Sequence, residues 1–289
     1  MRITQGMLSN NMLRNLSSSY NKMGNLMDQL NTGKKITRPS DDPVIAMKGI
    51  NYRNRVTEVE QFERNTIEVN NWMDNSDAAL DKATKAMQRL RELAVKASNG
   101  TNESQELESI RSEVSQLKEH LRDIAQTEVN GKYIFNGTKT DQPPNVDLEN
   151  GTFTADSSSV EIEVAKGIKL KANINAEEVF GDIFQSVNDF EKALNEGSDK
   201  ISESISDIDE GINKIINSRA DLGARMNRLE LVENRLSEQN IIATKAMSDN
   251  EDIDYEKAIT ELITQESIHR AALSTGSRII QPSLVDFLR

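Results

Sequence analysis

From Ile201 to Met247, apolar side chains recur at alternating steps of four and three residues. Ile201, Ile205, Ile208, Ile212, Ile215, Leu222, Met226, Leu229, Leu236, Ala243 and Met247 fill eleven of fourteen such positions. Steps averaging about 3.5 residues put all of these side chains on one stripe of an α-helix. A stripe of that kind is buried only against another helix, so the chain is committed to helix-on-helix packing. The polar exceptions, Arg219, Glu233 and Asn240, are candidates for setting the register of the packing.

The same rhythm recurs three times upstream. Leu13, Leu16, Tyr20, Met23, Met27 and Leu30 form a seam that ends at Thr32-Gly33, where glycine suits a left-handed cap. A second seam runs from Val59 through Phe62, Val69, Met73, Leu80, Met87 and Leu90 to Ala97, and Asn99-Gly100 closes it. A third carries Leu107, Ile110, Val114, Leu117, Leu121 and Ile124, which predicts an antiparallel helical hairpin with the second. The last helix spans about Tyr255 to Gly276 and presents Ile259, Leu262, Ile263 and Leu273.

Two interruptions are written into the chain. In RPSDDPVIAMKG, Pro39 biases Arg38 away from helical geometry, Ser40, Asp41 or Asp42 can cap the next helix, and Pro43 fits its first turn. The second interruption, DNEDID at 249–254, is also acidic. Between the helical halves the pattern changes to period two: VEIEVAKGIKLKANI alternates on both sides of Lys166-Gly167, as a β-hairpin does. The expected architecture is mainly α, a long antiparallel bundle or coiled coil formed by the N- and C-terminal halves, with a small β-rich insert. The expected domains are 1–40 with 255–289, 41–137 with 183–254, and the insert at 138–182.

Composition narrows the function. The formal charge of -12 opposes the basic footprint that phosphate backbones require, so nucleic acid is not an expected partner. The charge is uneven: residues 1–40 hold six bases against Asp28, whereas 177–210 hold eleven acids against Lys192 and Lys200 and read as a solvated surface. There is no cysteine, hence no disulfide framework or thiol chemistry. MRITQGMLSNNMLRN lacks the apolar core of a secretory signal, and no apolar run is long enough to insert in a membrane. Nucleotide-binding glycine loops and the nucleophile elbow are absent. Glu266-x-x-His269 matches half of a di-iron site, but Leu117 stands three residues before the only other histidine, His120, where the second glutamate belongs. No catalytic residue, cofactor or metal is expected.

The stretches LNTGKKITRPSDDPVIAMKG, RLRELAVKASNGTNESQELESIRSEVSQLKEHL, YIFNGTKT and DYEKAITELITQESIHRAALSTGSRIIQPSLVDFLR resemble, in that order, the bacterial flagellin family. Within it they are most similar to the hook-associated branch that joins hook to filament, since RPSDDP and YIFNG replace the usual flagellin wording. The resemblance covers about 1–137 and 200–289. It implies a non-enzymatic adaptor whose terminal helices pair in the innermost layer of a tubular assembly, with RPSDDP as the elbow at Pro39, Asp41, Asp42 and Pro43. It also implies an extracellular location on the flagellum, reached unfolded through the flagellar export channel, and an export chaperone. The implied neighbours are an adjacent hook-associated protein, flagellin, and further copies in a ring or helical layer. Leu13, Leu16, Met23, Leu30, Leu273 and Leu284 are the candidate packing residues. A minor flagellin, or a secreted or cytosolic coiled-coil scaffold, shares the periodicity.

Overall fold

The computed structural model describes residues 5–99, 104–196 and 198–280. Six helices dominate: α1 (Gln5–Thr32), α2 (Pro43–Ser98), α3 (Ser104–Ala125), α4 (Ala176–Glu196), α5 (Ser198–Glu251) and α6 (Tyr255–Ile280). Three short antiparallel hairpins lie between α3 and α4: β1 (Glu128–Val129) with β2 (Lys132–Tyr133), β3 (Asn145–Asp147) with β4 (Thr152–Thr154), and β5 (Glu161–Ala165) with β6 (Ile168–Lys171). The mainly helical fold with a small β-rich insertion is the architecture the seams predict.

Local chemistry sets the helix ends. Gly33, at φ +70°, closes α1 with its N–H donated to the Gln29 carbonyl at 2.8 Å. Asp42 Oδ1 then accepts the N–H groups of Val44 (2.9 Å) and Ile45 (3.0 Å), and Pro43 opens α2. Asp41 instead holds the preceding turn, accepting the N–H groups of Arg38 at 2.8 Å and Thr37 at 3.2 Å. The second interruption is narrower than its acidic run. α5 continues through Glu251, and Asp254 Oδ1 accepts the Lys257 N–H at 3.2 Å to start α6.

Contacts divide the chain into two units, residues 1–58 with 240–289 and residues 59–239. The division thus falls inside α2, beyond the elbow at 39–43, and inside α5, ahead of the interruption at 249–254. Nearly all of the apolar core lies in the second unit. Met73, Leu80, Met87 and Leu90 of α2, Val114 and Leu121 of α3, and Ile208, Ile215, Leu222 and Leu236 of α5 are buried there. Arg219 fixes α5 against α2: its guanidinium donates to both Asp77 oxygens at 2.9 and 3.2 Å and to Asp81 Oδ1 at 3.0 Å.

One expectation is corrected. The acidic stretch beginning at 177 is not simply solvated surface, because residues 176–196 form α4, whose Val179, Phe180, Ile183, Phe184, Val187 and Phe190 are buried. Counting charges ignores phase: Glu177, Glu178, Asp182 and Asp189 lie on the exposed face of the same helix. α4 packs on α3 and β4. Phe184 stacks on Phe153 with centroids 5.8 Å apart, and Phe180 meets Phe135 edge-on at 5.2 Å. Buried Lys118 donates to Asn188 Oδ1 at 3.0 Å and Glu191 Oε2 at 2.8 Å, tying α3 to α4. The β5–β6 hairpin turns at Lys166-Gly167 as expected, with a register shift between Glu163 and Ala165.

Candidate functional site on the terminal helices

In the first unit α1 and α6 pack antiparallel. Gln265 Nε2 donates to Ser19 Oγ at 2.8 Å, Gly276 lies under Met12, and the Tyr255 hydroxyl reaches Gly33 at the opposite end. On α1 the shielded positions include Ser9, Met12, Leu16, Ser19, Met23, Leu26 and Leu30; on α6 they are Ala258, Leu262, Gln265, His269, Ala272 and Gly276. Both sets step by three and four, the rhythm of a coiled-coil seam. Yet, Leu262 apart, the α6 side of the seam is small or polar, whereas α1 contributes the half-buried Met12, Leu16, Met23, Leu26 and Leu30. Among the described residues Ala258 is the only fully buried apolar side chain of this unit.

A second set of bulky apolar groups points away from the seam. Leu13, Tyr20 and Met27 repeat every seven residues about a quarter-turn from the α1 seam, and Ile259, Ile263 and Leu273 hold the corresponding flank of α6; all six are exposed. Because the helices are antiparallel, equal rotations from the seam bring both flanks to the same side of the pair. The opposite side holds a mainly polar groove lined by Lys22, Asn25, Leu26, Gln29, Thr260, Glu261, Thr264 and Gln265, with Ile268 exposed further along the same flank of α6. The pair is therefore two-faced. Of 19 exposed large apolar side chains among the described residues, 15 belong to this unit, so the surface has not finished burying its apolar area.

The candidate packing residues divide accordingly. Leu16, Met23 and Leu30 are half-buried in the seam, Leu13 and Leu273 lie on the exposed apolar face, and Leu284 lies outside the described residues. Of the α1 seam read from sequence, Leu13, Tyr20 and Met27 give way to Met12, Ser19 and Leu26. The apolar stripe is wide enough for two phases, and the Ser19–Gln265 hydrogen bond favours one of them. The half-site residues do not converge on a metal. Glu266 is ion-paired with Arg270, His269 lies in the seam 6.2 Å from the Tyr20 ring, and His120 is exposed on α3. Among the described residues no cluster of three or more potential His, Asp or Glu ligands forms, and no helix is long and apolar enough to cross a membrane.

A clasp that periodicity does not reveal closes the elbow end of the unit. Lys34 and Asp252 form an antiparallel bridge, with Ile253 N–H donated to the Gly33 carbonyl at 2.9 Å and Lys35 N–H to the Glu251 carbonyl at 2.7 Å. The Glu251 side chain is only 5% exposed; its Oε2 accepts from Arg53 at 2.7 Å and lies 3.5 Å from the Lys34 ammonium, which itself holds Asp252 at 2.6 Å. Its Oε1 presses on Gly49, where an added Cβ would sit 2.5 Å away, so no side chain larger than hydrogen fits there without moving the anchored carboxylate.

The Arg53 hydrogen bond, helped by Lys34, holds the Glu251 carboxyl below its ordinary range, and Lys34 does the same for Asp252. Groups with depressed folded values contribute stability that is full above about pH 4.5 and is lost as pH falls through the lowered values. Lys34 is raised by Asp252, so its share is present below about pH 10.5 and lost above it as pH climbs through the raised value. Glu251→Gln is therefore expected to lower the melting temperature at neutral pH and to flatten the acid limb of the profile relative to the parent chain. Scanning calorimetry between about pH 3 and pH 7 checks this; parallel acid limbs would remove Glu251 from the clasp.

The model for the bacterial flagellin N-terminal helical region matches residues 3–140, and that for the bacterial flagellin C-terminal helical region matches 205–288. Flagellar hook-associated protein 3 of Escherichia coli is 23% identical over 94% of this chain and 95% of its own length. A Bacillus subtilis flagellin is 29% identical over 94% of each chain. The crystal structure of Bacillus cereus FlgL superposes with a TM-score of 0.61 at 24% identity, covering 68% of this chain and 99% of that one.

Proposed function

We propose, from the premise that this chain belongs to the bacterial flagellin family, that it is the structural adaptor joining the flagellar hook to the flagellin filament. The observation that carries the reading is the terminal pair, which keeps Leu13, Tyr20, Met27, Ile259, Ile263 and Leu273 exposed along one side while its own seam leaves its apolar side chains, Ala258 apart, only half-buried. Burying a large apolar side chain contributes roughly 1.5–3 kcal/mol, so six such groups on one face are a strong drive to associate. Neighbouring copies complete that burial in a ring or helical layer. One edge of the layer meets the adjacent hook-associated protein and the other meets flagellin. Near full-length similarity to a hook-associated protein supports the hook-side role.

A chain without cysteine suits export in the unfolded state through a narrow channel, since no crosslink holds distant segments together. Before assembly the exposed apolar face of α6 needs a cover, the role assigned here to an export chaperone. Deleting the gene, imaging the cells and blotting the medium tests the adaptor. Intact hooks without filaments, with flagellin lost to the medium, are the expected result. The comparable similarity to a Bacillus flagellin supports a second reading, a minor filament subunit. That reading is the correct one if filaments still grow.

A further inference from the structure

Beside the clasp, in the first unit, a pocket of about 160 Å³ opens at the elbow. It is lined by the apolar Ile36, Pro39, Ile45, Ala46 and Ile50, by the cations Lys34, Arg38 and Arg53, and by Thr37 and the clasp carboxylate of Glu251. Of these cations, Lys34 and Arg53 are engaged by the clasp carboxylates, whereas the Arg38 guanidinium makes no hydrogen bond or ion pair among the described residues and acts on Asp41 only through its charge. The pocket thus suits one apolar side chain accompanied by a carboxylate.

The segment beyond α6, QPSLVDFLR at 281–289, has that chemistry. Asp286, its one acid, is flanked by Val285 and Phe287. The chain's own segment cannot reach the chain's own pocket. Gly276 lies against Met12, some twenty helical residues from the elbow, and α6 continues away from the elbow to Ile280. At 1.5 Å per residue the gap is roughly 35 Å, whereas the six residues from Ile280 to Asp286 span at most about 22 Å when fully extended.

We propose that residues 284–287 of one copy dock in the elbow pocket of the next, with Val285 or Phe287 against its apolar residues and Asp286 on Arg38. The contact is heterologous and head-to-tail, so it propagates along a stack of subunits. It rests on the assembly reading above and adds to it a specific contact between consecutive copies.

Because the chain has no cysteine, crosslinks report engineered positions alone. In the gene-deleted strain, an affinity-tagged Ile50→Cys chain is co-expressed with an untagged Val285→Cys chain, and sheared flagella are oxidised and blotted without reduction. Regrown filaments report assembly independently of the crosslink. A tagged–untagged heterodimer is expected. Adding Arg38→Glu to the first chain should cut its yield at least about tenfold, and Asp286→Lys in the second should restore it, since a reversed ion pair recovers the complementarity. Filaments with no heterodimer, or a heterodimer indifferent to Arg38→Glu, overturn the docking and leave the adaptor standing. Failure of even the unaltered chain to restore filaments overturns both.

Discussion

Leu13→Asp combined with Ile263→Asp leaves the circular dichroism and melting of the isolated chain close to those of the parent and abolishes filament growth from the hook. Both side chains are more than half exposed, so the isolated fold loses only the small difference in helix propensity, below about 1 kcal/mol for the pair. In the assembly the same positions become desolvated, and each buried carboxylate lacks a partner. Truncating a central apolar anchor costs an interface roughly 2 kcal/mol or more, a charge costs further, and the loss is repeated at every contact in the layer. Immunoblots of sheared flagella and electron microscopy of the hooks read the outcome. Wild-type filaments carrying the double variant would place the assembly surface elsewhere. Leu16→Asp is the contrasting substitution: it strikes the seam inside the chain and should loosen the α1–α6 pair even in the monomer.

Phe184→Ala has the opposite signature, a large loss of folding stability with no direct effect on the apolar face. Phe184 is fully buried, stacked on Phe153 and tilted against Phe180 at 6.4 Å. Its removal opens a cavity under α4 and should cost about 3–5 kcal/mol. That is a large part of the roughly 5–15 kcal/mol a domain possesses, and it lowers the melting temperature by about 10 °C. Trp72, the single tryptophan, is buried in the same unit and provides the fluorescence probe for urea unfolding. A midpoint shift worth less than about 1 kcal/mol would mean that α4 is not docked through its aromatic face. Together the two variants separate folding from assembly: one unit holds the core, and the other carries the surface left for neighbours.

How much was legible in the sequence differs by element. The α2 and α5 seams were, because both helices place their stripe on a continuous core and the rhythm persists for many turns. The β5–β6 hairpin was, because alternation changes face at every residue and Lys166-Gly167 marks the turn. α4 was hidden by its acids, which occupy the exposed face of a helix whose other face is aromatic. The clasp was hidden for a different reason. Arg53 and Glu251 are 198 positions apart, and neither carries a local signal that it has a partner. Gly49 carries no local signal either, although it makes room for the Glu251 carboxylate.

The order of the helices, their starts at Asp42-Pro43 and Asp254, the stop at Gly33 and the position of the β insert belong to the sequence alone. They follow from capping, proline sterics and residue periodicity, all of which act within a few neighbouring residues. Tertiary structure decided which edge of the wide α1 stripe turns toward α6, which helix shields the aromatic face of α4, and which apolar residues remain outside. Those outcomes depend on competition between surfaces far apart in the chain. In the terminal pair, Ser19 hydrogen-bonded to Gln265 and Met12 over Gly276 occupy the seam, leaving Leu13, Tyr20 and Met27 for the next molecule.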